Sequence, residues 1–458
     1  MSNIQVINPA TEEIINQYKI MSQDEVNTII NLMYDEQEKW ARTAYSTRIH
    51  CLMNAANLLR QDKEKYAKLM TLEMGKPISQ SISEIEKCAK AFDYYAEMGE
   101  KFLEPEIIET EFHKSYRSFQ PLGIIFAIMP WNFPFWQVVR FAVPNLMLGN
   151  AGLLKHAPNS MGTALAIEQL FLQAGFPKNL FRSLIIDVDL APAIIHHPKI
   201  SGVTLTGSNK AGQSVAKEAG MALKKLVLEL GGSDPYIILE DADIALAAEK
   251  CVQSRLGINA GQSCIAAKRL IVVNKMKDNF IKNILENARQ YKIGDPLDPK
   301  TNLGPLARND LREKLHDQVE RSIAAGARCI LGGEIPDKKG YFYPATILTD
   351  VPVNSPAFLE EIFGPVISII NAVDEEEAVQ LANQSPFGLG AAIFTQDLQR
   401  GERLAREKMQ AGTCVVNTFV ASDPRLPFGG IKQSGYGREL SREGMHEFAN
   451  IKTVVIAS

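Results

Sequence analysis

Residues 202–212 read GVTLTGSNKAG. The β-branched first half predicts a strand, and the glycine turn after it leads into residues 213–219, which predict a helix. A glycine turn that opens a helix presents free backbone N–H groups and the positive end of the helix dipole, and both favour a phosphate. This turn is neither the G-x-G-x-x-G fingerprint nor a P-loop, so by itself it is more often an ordinary helix start than a nucleotide site.

The same order of elements recurs along the chain. From about residue 120 onward, short β-rich runs alternate with amphipathic helical segments. The β-rich runs are 124–128, 153–155, 202–205, 226–228, 236–239 and 270–273, and two helical segments are 242–251 and 278–291. This alternation predicts an α/β fold with parallel sheets covered by helices.

The two ends of the chain have different patterns. Residues 22–99 are charged and helical in period, and Ser22 followed by Glu25 is a capping box that starts a helix. We expect this region to pack on the sheet as a helical layer. Residues 109–119 instead alternate polar and apolar side chains, and residues 453–456 form a β-like run with no evident partner nearby.

Bulk properties limit the classes of function. A chain of 458 residues is too long for one ordinary core, so about two or three domains are expected. The composition, 46% hydrophobic and 22% charged, is typical of a soluble globular protein. The net charge of −4 comes from 49 basic and 53 acidic residues mixed along the chain. Because there is no basic stripe, we expect no nucleic-acid partner.

The cysteines and the chain start indicate a compartment. The six cysteines are scattered, without the close pairs typical of a zinc site or a disulfide-stapled domain. The chain starts with polar Ser2 and Asn3 rather than a signal peptide, and its longest apolar stretch, residues 122–129, is too short to span a membrane. We therefore expect a cytoplasmic protein with no structural metal and no membrane partner.

Three short motifs carry the candidate chemistry. They are GQSC at 261–264, ELGG at 229–232 and PWNFP at 130–134. Cys264 lies among small and amide residues that let a backbone N–H approach whatever the sulfur attacks. A lone cysteine more often simply packs, and a strand-end carboxylate such as Glu229 more often bonds to nearby glycine N–H groups than acts as a base. The prolines stiffen the third motif, which can therefore aim the amide of Asn132.

Together and in this order, the motifs resemble those of the aldehyde dehydrogenase superfamily. Further matching strings are NPAT at 8–11, LGP at 303–305, EIFGP at 361–365 and PFGGIKQSG at 427–435. One such string would be weak, but their joint order is very specific. The resemblance implies a Rossmann-type cofactor domain, an α/β catalytic domain and a small β oligomerisation domain.

The resemblance also implies domain boundaries. The dinucleotide-binding domain would comprise residues 1–103 and 121–231, the catalytic domain residues 232–437, and the oligomerisation domain residues 104–120 and 438–458. In the family, the last of these extends a neighbouring subunit's sheet, so we expect a homodimer or homotetramer. An exposed edge strand otherwise invites aggregation, which makes such pairing physically sensible.

Catalytic roles follow from the resemblance. Cys264 would add to an aldehyde and carry a thioester, Asn132 would stabilise the negative oxygen, and Glu229 would act as general base on the water that releases the acid. Coenzyme-A-acylating relatives generally do not keep this glutamate, so water is favoured as the acceptor.

Two rivals belong to other classes. A hydrolytic cysteine enzyme commonly uses a histidine to deprotonate the thiol, and none of the seven histidines is close to Cys264 in sequence. A catalytically silent ligand-binding homologue is the second rival, and the presence of all three catalytic residues argues against it.

The expected cofactor is NAD or NADP. Gly207, Ser208 and Gly212 match the family's pyrophosphate-binding turn, and Lys155, at the end of a strand-like run, can bond ribose hydroxyls or a 2′-phosphate. The full set of cofactor-binding residues implied is Trp131, Lys155, Gly207, Ser208, Gly212, Gly231, Glu361 and Phe363. Many NAD-preferring relatives carry a Glu three residues after this lysine, and here that residue is Pro158. The preference between the two cofactors is left open.

Arg140 and Ser422 direct the substrate prediction. A guanidinium facing the site can hold a carboxylate bidentately. The spacing of Arg140 from the PWNFP motif is similar to that of the substrate-binding Arg of succinate semialdehyde dehydrogenases, and Ser422 falls in the loop where those enzymes carry a carboxylate-binding Ser. We therefore expect oxidation of succinate semialdehyde to succinate, with another short aliphatic or aromatic aldehyde as the alternative. Two positions depart from some of those enzymes: Ile258 replaces a second Arg, and Ala266 replaces a redox-switch Cys.

Overall fold

The computed structural model of the protein describes residues 3–457. Met1, Ser2 and Ser458 lie outside the described residues, as does the part of the signal-peptide prediction that rests on Ser2. The strands are β1 (Asn3–Ile7), β2 (Ile14–Lys19), β3 (Glu106–Ile107), β4 (Lys114–Pro121), β5 (Ile124–Met129), β6 (Ala151–His156), β7 (Phe181–Leu184), β8 (Ile200–Thr206), β9 (Lys225–Glu229), β10 (Pro235–Ile238), β11 (Arg269–Val273), β12 (Arg328–Leu331), β13 (Thr346–Thr349), β14 (Val366–Ala372), β15 (Phe387–Gly388), β16 (Gly390–Phe394), β17 (Thr413–Val416), β18 (Ile431–Lys432), β19 (Gly435–Tyr436) and β20 (Ala449–Ile456).

The helices lie mostly between the strands of the two large sheets and before β3. They are α1 (Gln23–Trp40), α2 (Tyr45–Gln61), α3 (Lys63–Met74), α4 (Ile78–Phe102), α5 (Trp136–Leu148), α6 (Met161–Gln173), α7 (Ala191–His196), α8 (Asn209–Met221), α9 (Ile244–Arg255), α10 (Lys277–Ala288), α11 (Asn309–Ala324), α12 (Pro356–Leu359), α13 (Glu375–Asn383), α14 (Leu398–Glu407) and α15 (Ser441–His446).

The first large sheet has the strand order β19-β9-β8-β5-β6-β7. Its neighbours are parallel except for β19, which runs antiparallel to β9. Strand β5 is almost continuously apolar because both faces of this sheet are covered. Lys155 pairs with Ile128, and Thr206 pairs with Glu229, so the carboxyl ends of β5, β6, β8 and β9 share one edge. The predicted α/β fold is confirmed.

The second large sheet has the order β12-β13-β14-β11-β10-β16-β17 and is parallel apart from β12. Two apolar clusters cover its faces. One includes α9 and α10, and the other includes α11, α13 and α14. Strand β10 begins six residues after Glu229, so the chain passes directly from the first sheet into the second.

The N-terminal helices form the predicted layer on the first sheet. The capping box of Ser22 and Glu25 is present at the start of α1. The Trp40 indole N–H donates to the Leu146 carbonyl at 2.8 Å, and the Arg48 guanidinium donates to the carbonyl of Met147 at 2.9 Å. These buried bonds join the layer to the end of α5, which follows the PWNFP motif.

A third sheet of order β20-β4-β3 is antiparallel throughout. On β20, the side chains of Ile451, Val455 and Ile456 are about half exposed. The β19 residues precede the predicted boundary at residue 437 yet pair with the first sheet, and the domain boundaries remain a prediction. Over residues 3–457, no helix is both long enough and apolar enough to cross a bilayer.

Candidate active site

Two cavities meet at Cys264. The first cavity, of about 390 Å³, lies beneath α4 and the start of α5, and the second, of about 310 Å³, borders the carboxyl end of the first sheet. Cys264 and Gln137 line both. All six cysteines fall within the described residues, none is in a disulfide, and Cys264 alone among them borders either cavity.

The loop before Cys264 has an unusual backbone. Asn259, Ala260 and Gly261 have φ values of 52°, 49° and 72°, in the left-handed region. A β-carbon on Gly261 would lie 2.2 Å from the Gly364 carbonyl oxygen, so only glycine fits there. The Asn259 side-chain amide donates to the Asn132 carbonyl at 2.8 Å. This bond ties the nucleophile loop to the oxyanion motif.

Lys268 fixes the backbone around Cys264, the candidate nucleophile. Its buried ammonium donates to the carbonyl oxygens of Ser263 at 2.8 Å and Cys264 at 2.6 Å, and it lies 3.5 Å from Glu361 Oε1. Burial raises the pKa of the Cys264 thiol to about 11, and the positive charges of Lys268 and Arg140 oppose this rise. Sequence reasoning missed Lys268, because a lysine four residues after a cysteine carries no signal of burial.

Asn132 lies in the second cavity with Cys264. Its Nδ2 donates to the Gln262 carbonyl at 3.2 Å, which uses one of two amide hydrogens and leaves the other for a ligand. Within residues 3–457 the Cys264 backbone N–H donates no hydrogen bond. Asn132 was predicted to stabilise a negative oxygen, and the Cys264 N–H is a second donor available for that role.

Glu229 ends β9 but lines neither cavity. Its carboxylate is buried beside Gly429, and neither oxygen has a hydrogen-bond partner in the described part of the chain. Burial raises the pKa of this carboxyl well above its usual value, while Arg140 opposes the rise and Glu439 adds to it. In this structure the Glu229 carboxylate therefore faces neither of the two cavities that Cys264 borders.

Arg140 lines the first cavity but already has a protein partner. Its guanidinium forms a buried ion pair with Glu439, donates to Thr206 Oγ1 at 3.3 Å and lies 4.6 Å from the centre of the Phe428 ring. The sequence prediction treated this arginine as free for a substrate carboxylate. Glu439, which is nearly 300 positions away, was not anticipated.

Ser422 lines the same cavity, as predicted from its loop, and lies beside a lysine that the sequence did not single out. The Lys87 ammonium donates to Ser422 Oγ at 2.7 Å, and the Trp136 indole N–H donates to the same oxygen at 3.1 Å. Lys87 escaped notice because α4 carries many charged residues. The two departures noted above, Ile258 and Ala266, are also in the wall of this cavity and make it apolar there.

Most of the predicted cofactor-binding residues line the second cavity. Trp131, Gly207, Ser208, Gly231, Glu361 and Phe363 line it. The Trp131 and Phe363 rings are perpendicular, with centres 5.9 Å apart. Glu361 accepts a hydrogen bond from the Gly232 N–H at 3.0 Å, and a β-carbon on Gly231 would lie 2.6 Å from its other oxygen.

A third cavity of about 360 Å³ continues from the second, and Ser208 borders both. Buried Lys155 lines it at the end of β6, among mostly apolar side chains from β5, α7 and α8. Lys210 also borders it. Glu218 also borders it, and its carboxylate lies 2.9 Å from His196 Nε2. A mostly apolar cavity with a lysine in its wall, at the carboxyl ends of parallel strands, fits a nucleotide base and its ribose.

The glycine turn differs from the prediction in its hydrogen bonds. The Gly207 N–H donates to the Glu229 carbonyl at 3.0 Å, and the Gly212 N–H donates to the Ser208 carbonyl at 2.9 Å, so neither is free for a phosphate. Gly212 packs against Leu230 outside the cavities. Ser208 caps α8 by accepting from the Ala211 N–H at 3.3 Å. The N–H groups of Ser208, Asn209 and Lys210 have no acceptor within residues 3–457 and are the donors left at this helix start.

The surroundings of Cys264 bear on the rival chemistries. All seven histidines lie in the described part of the chain, and none lines the first or second cavity. The pairing of a thiol with a histidine that a hydrolytic cysteine enzyme commonly uses is therefore missing here. In residues 3–457, no group of three or more His, Cys, Asp or Glu side chains is arranged to hold a metal ion.

Comparison with known proteins gives a consistent result. The sequence matches the Aldehyde dehydrogenase family over residues 1–454. It is 46% identical over 454 residues to a probable succinate-semialdehyde dehydrogenase [NADP(+)] of Synechocystis sp., covering 99% of this chain and 100% of that protein. It is 45% identical over 448 residues to the succinate semialdehyde dehydrogenase [NAD(P)+] Sad of Escherichia coli K12, covering 98% and 96% of the two chains.

Solved structures agree with the sequence comparison. The crystal structure of succinic semialdehyde dehydrogenase from Streptococcus pyogenes in complex with NADP+ superposes with a TM-score of 0.97 at 38% identity, covering 99% of this chain and 100% of that one. At this identity and coverage the likeness extends beyond the fold to the family.

Proposed function

We propose, because this chain belongs to the aldehyde dehydrogenase family, that it oxidises succinate semialdehyde to succinate with NADP or NAD as the oxidant. The observation that carries the proposal is the position of Cys264, which borders both the second cavity, of nucleotide type, and the first cavity, whose wall includes Lys87 and Arg140. The curated relatives described above are named for the same substrate.

The first step is addition of the Cys264 thiolate to the aldehyde carbon. The carbonyl oxygen becomes an alkoxide, which the Asn132 amide and the Cys264 backbone N–H would hold. Since burial raises the pKa of the thiol to about 11, the thiol proton would pass to a water molecule as the sulfur adds, and the charge of Lys268 favours this loss.

The second step is loss of hydride from the tetrahedral carbon. When bound, the nicotinamide supplies the hydride acceptor. Trp131, Phe363 and Glu361 would hold its ring and ribose beside Cys264, and what remains on the sulfur is a thioester.

The third step is hydrolysis of that thioester. Glu229, rotated from its buried position and ionised, would take a proton from the attacking water, and the Cys264 thiolate would leave as the acid is released. Burial raises the pKa of Glu229 above its usual value, which makes its ionised carboxylate a stronger proton acceptor.

Acceptance of NADP is supported by charge. Lys155 and Lys210 border the third cavity, and Pro158 provides no carboxylate to repel a 2′-phosphate. The carboxylate that does border this cavity, Glu218, is paired with His196. The NADP+ complex of the Streptococcus pyogenes enzyme is in accord with this assignment. We propose that both cofactors bind, with NADP accepted through these cations.

The purified enzyme tests the function directly. Reduced nicotinamide is followed by absorbance with succinate semialdehyde, butanal and benzaldehyde, each with NAD and with NADP. We expect the highest kcat/KM for succinate semialdehyde. A higher value for either uncharged aldehyde would identify that aldehyde as the better substrate. If the cofactor were reduced with none of the pairs, the protein would be a catalytically silent homologue.

Assembly is proposed from the third sheet. Strand β20 carries apolar side chains about half exposed on a short antiparallel sheet, and an exposed strand of this kind is normally paired or covered. We propose a homodimer or homotetramer formed through it. The cytoplasmic location remains a prediction, which cell fractionation tests.

A further inference from the structure

We propose that Lys87 is the cationic receptor for the distal carboxylate of the substrate, at the mouth of the first cavity and beside the hydroxyl of Ser422, which the sequence already predicted to bind it. The inference rests on the proposed function, since it assumes that the aldehyde carries a carboxylate. It assigns the recognition charge to a lysine on α4 rather than to Arg140 alone.

Lys87 is held at the wall of the cavity. Its ammonium lies 2.7 Å from Ser422 Oγ and 4.2 Å from the centre of the Trp136 ring, on the aromatic face where a cation is stabilised. The residue lines the first cavity and also borders an open depression on the outer surface with Lys63 and Lys90. It therefore stands where an anionic substrate enters.

The hydrogen bonds around Ser422 leave only donors facing the cavity. A serine hydroxyl has two lone pairs and one hydrogen. Both lone pairs are used, because Lys87 and Trp136 are donors that cannot accept. Within residues 3–457 nothing accepts the hydroxyl hydrogen, and the Lys87 ammonium has no further acceptor for its two other hydrogens. A cluster of unused donors on a cation is complementary to a carboxylate.

Arg140 is less available than Lys87. Its charge is matched by buried Glu439, and its Nη2 donates to Thr206. Removing Arg140 would leave Glu439 buried without a counter-ion, so a loss of activity in that variant would not isolate substrate binding. Lys87 has no carboxylate within ion-pair distance in the described residues, so its charge is available to a ligand.

The titration of Lys87 adds a pH dependence to this geometry. Burial lowers the pKa of Lys87 to about 8, and Arg140 lowers it further, while Cys88, Glu84 and Asp423 oppose the shift. The charged groups on its outer side are Lys63, Glu86 and Lys90. As pH rises through this value the ammonium is lost, so the KM for a carboxylated aldehyde should rise above about pH 8.

The test compares selectivity rather than activity. The measured quantity is kcat/KM for succinate semialdehyde divided by kcat/KM for butanal, which lacks the carboxylate. Lys87→Met should lower this ratio about 10- to 100-fold, mainly through the KM for succinate semialdehyde, as expected for loss of a charge-assisted bond. Lys87→Arg keeps the charge and should keep most of the selectivity. Lys101→Met, an exposed lysine at the carboxyl end of the same helix and outside the cavities, is the matched control and should resemble the wild type.

The outcomes distinguish a failure of the proposed function from a failure of the role given to Lys87. If the wild type does not prefer succinate semialdehyde, the proposed function fails. If it does and Lys87→Met keeps the wild-type ratio, only the receptor assignment is overturned. Should Lys87→Met not fold, the wild-type pH profile decides: a rise in KM confined to succinate semialdehyde supports the receptor, and parallel profiles for both aldehydes overturn it.

Discussion

Buried cations set the ionisation of Cys264 at the scale of single residues. Burial disfavours the charged thiolate, and Lys268 and Arg140 act against it. Lys268 does more than supply charge, because its two bonds to the carbonyls of Ser263 and Cys264 also fix the backbone that carries the sulfur.

Lys268→Met should therefore make the thiol less reactive. Loss of the positive charge raises the pKa of Cys264. The midpoint of the curve of iodoacetamide alkylation rate against pH therefore moves to higher pH. Misplacement of the loop should also lower kcat/KM roughly 10²-fold. Lys275→Met, an exposed lysine after β11, is the control. Unchanged alkylation kinetics in Lys268→Met would contradict this account.

Glu229→Gln tests the general base. Cys264 would still form the thioester, and its hydrolysis would slow by roughly 10²–10⁴-fold. Rapid mixing should give a burst of reduced nicotinamide followed by slow turnover. In the wild type, hydrolysis should speed up as pH rises through the raised pKa of Glu229, because only the ionised carboxylate accepts a proton. Full steady-state turnover in the variant would rule out this role.

At the scale of elements, the start of α5 depends on a buried ion pair. Glu84 accepts from the N–H groups of Phe135 at 3.0 Å and Trp136 at 2.9 Å, and its other oxygen pairs with buried Lys76. The Lys76 ammonium lies 4.0 Å from the centre of the Phe133 ring. The helix that carries Arg140 and the motif that carries Asn132 are thus anchored to α4.

Glu84→Ala should destabilise the protein by about 3–5 kcal/mol, because it leaves the Lys76 charge buried and unpaired. Denaturant unfolding followed by tryptophan fluorescence measures the change. Glu86→Ala is the matched control on the same helix, where the carboxylate pairs with partly exposed Arg60 and the expected effect is within about 1 kcal/mol. Equal effects of the two variants would contradict the role given to Glu84.

Much of the secondary structure was predictable from local pattern. Strand β5 contains the predicted run 124–128, and α9 and α10 overlap the predicted helices at 242–251 and 278–291 with shifts of a few residues at their ends. The glycine turn was also in the right place between β8 and α8. Its free N–H groups were misassigned, because the pairing of Gly207 with Glu229 depends on a neighbouring strand.

At the scale of the whole molecule, the third sheet is the surface through which we propose that copies of the chain assemble. Its strand β20 pairs with β4 along its full length, so the sheet is well formed, while Ile451 and Val455 on one face of β20 stay about half exposed. Burial of such a face between copies of the chain would stabilise both the sheet and the assembly.

Replacing Ile451 and Val455 together by Lys should therefore weaken assembly. These residues are four positions apart on one strand, and side chains at even spacings lie on the same face. Size-exclusion chromatography with light scattering should show a shift toward smaller species, and Lys452→Ala, on the opposite face, should leave the mass unchanged. A wild-type monomer would contradict the proposed assembly outright.

The order of the elements and the reactive motifs were readable from the chain alone, because periodicity, glycine turns and the surroundings of Cys264 are local properties. The electrostatic setting of those motifs was not. Lys87 meets Ser422 across 335 positions, Arg140 is neutralised by Glu439, and Glu229 is set back beside Gly429. Only folding brings these charges together and removes water from around them, and burial with its specific partners determines whether each charge is free for a substrate.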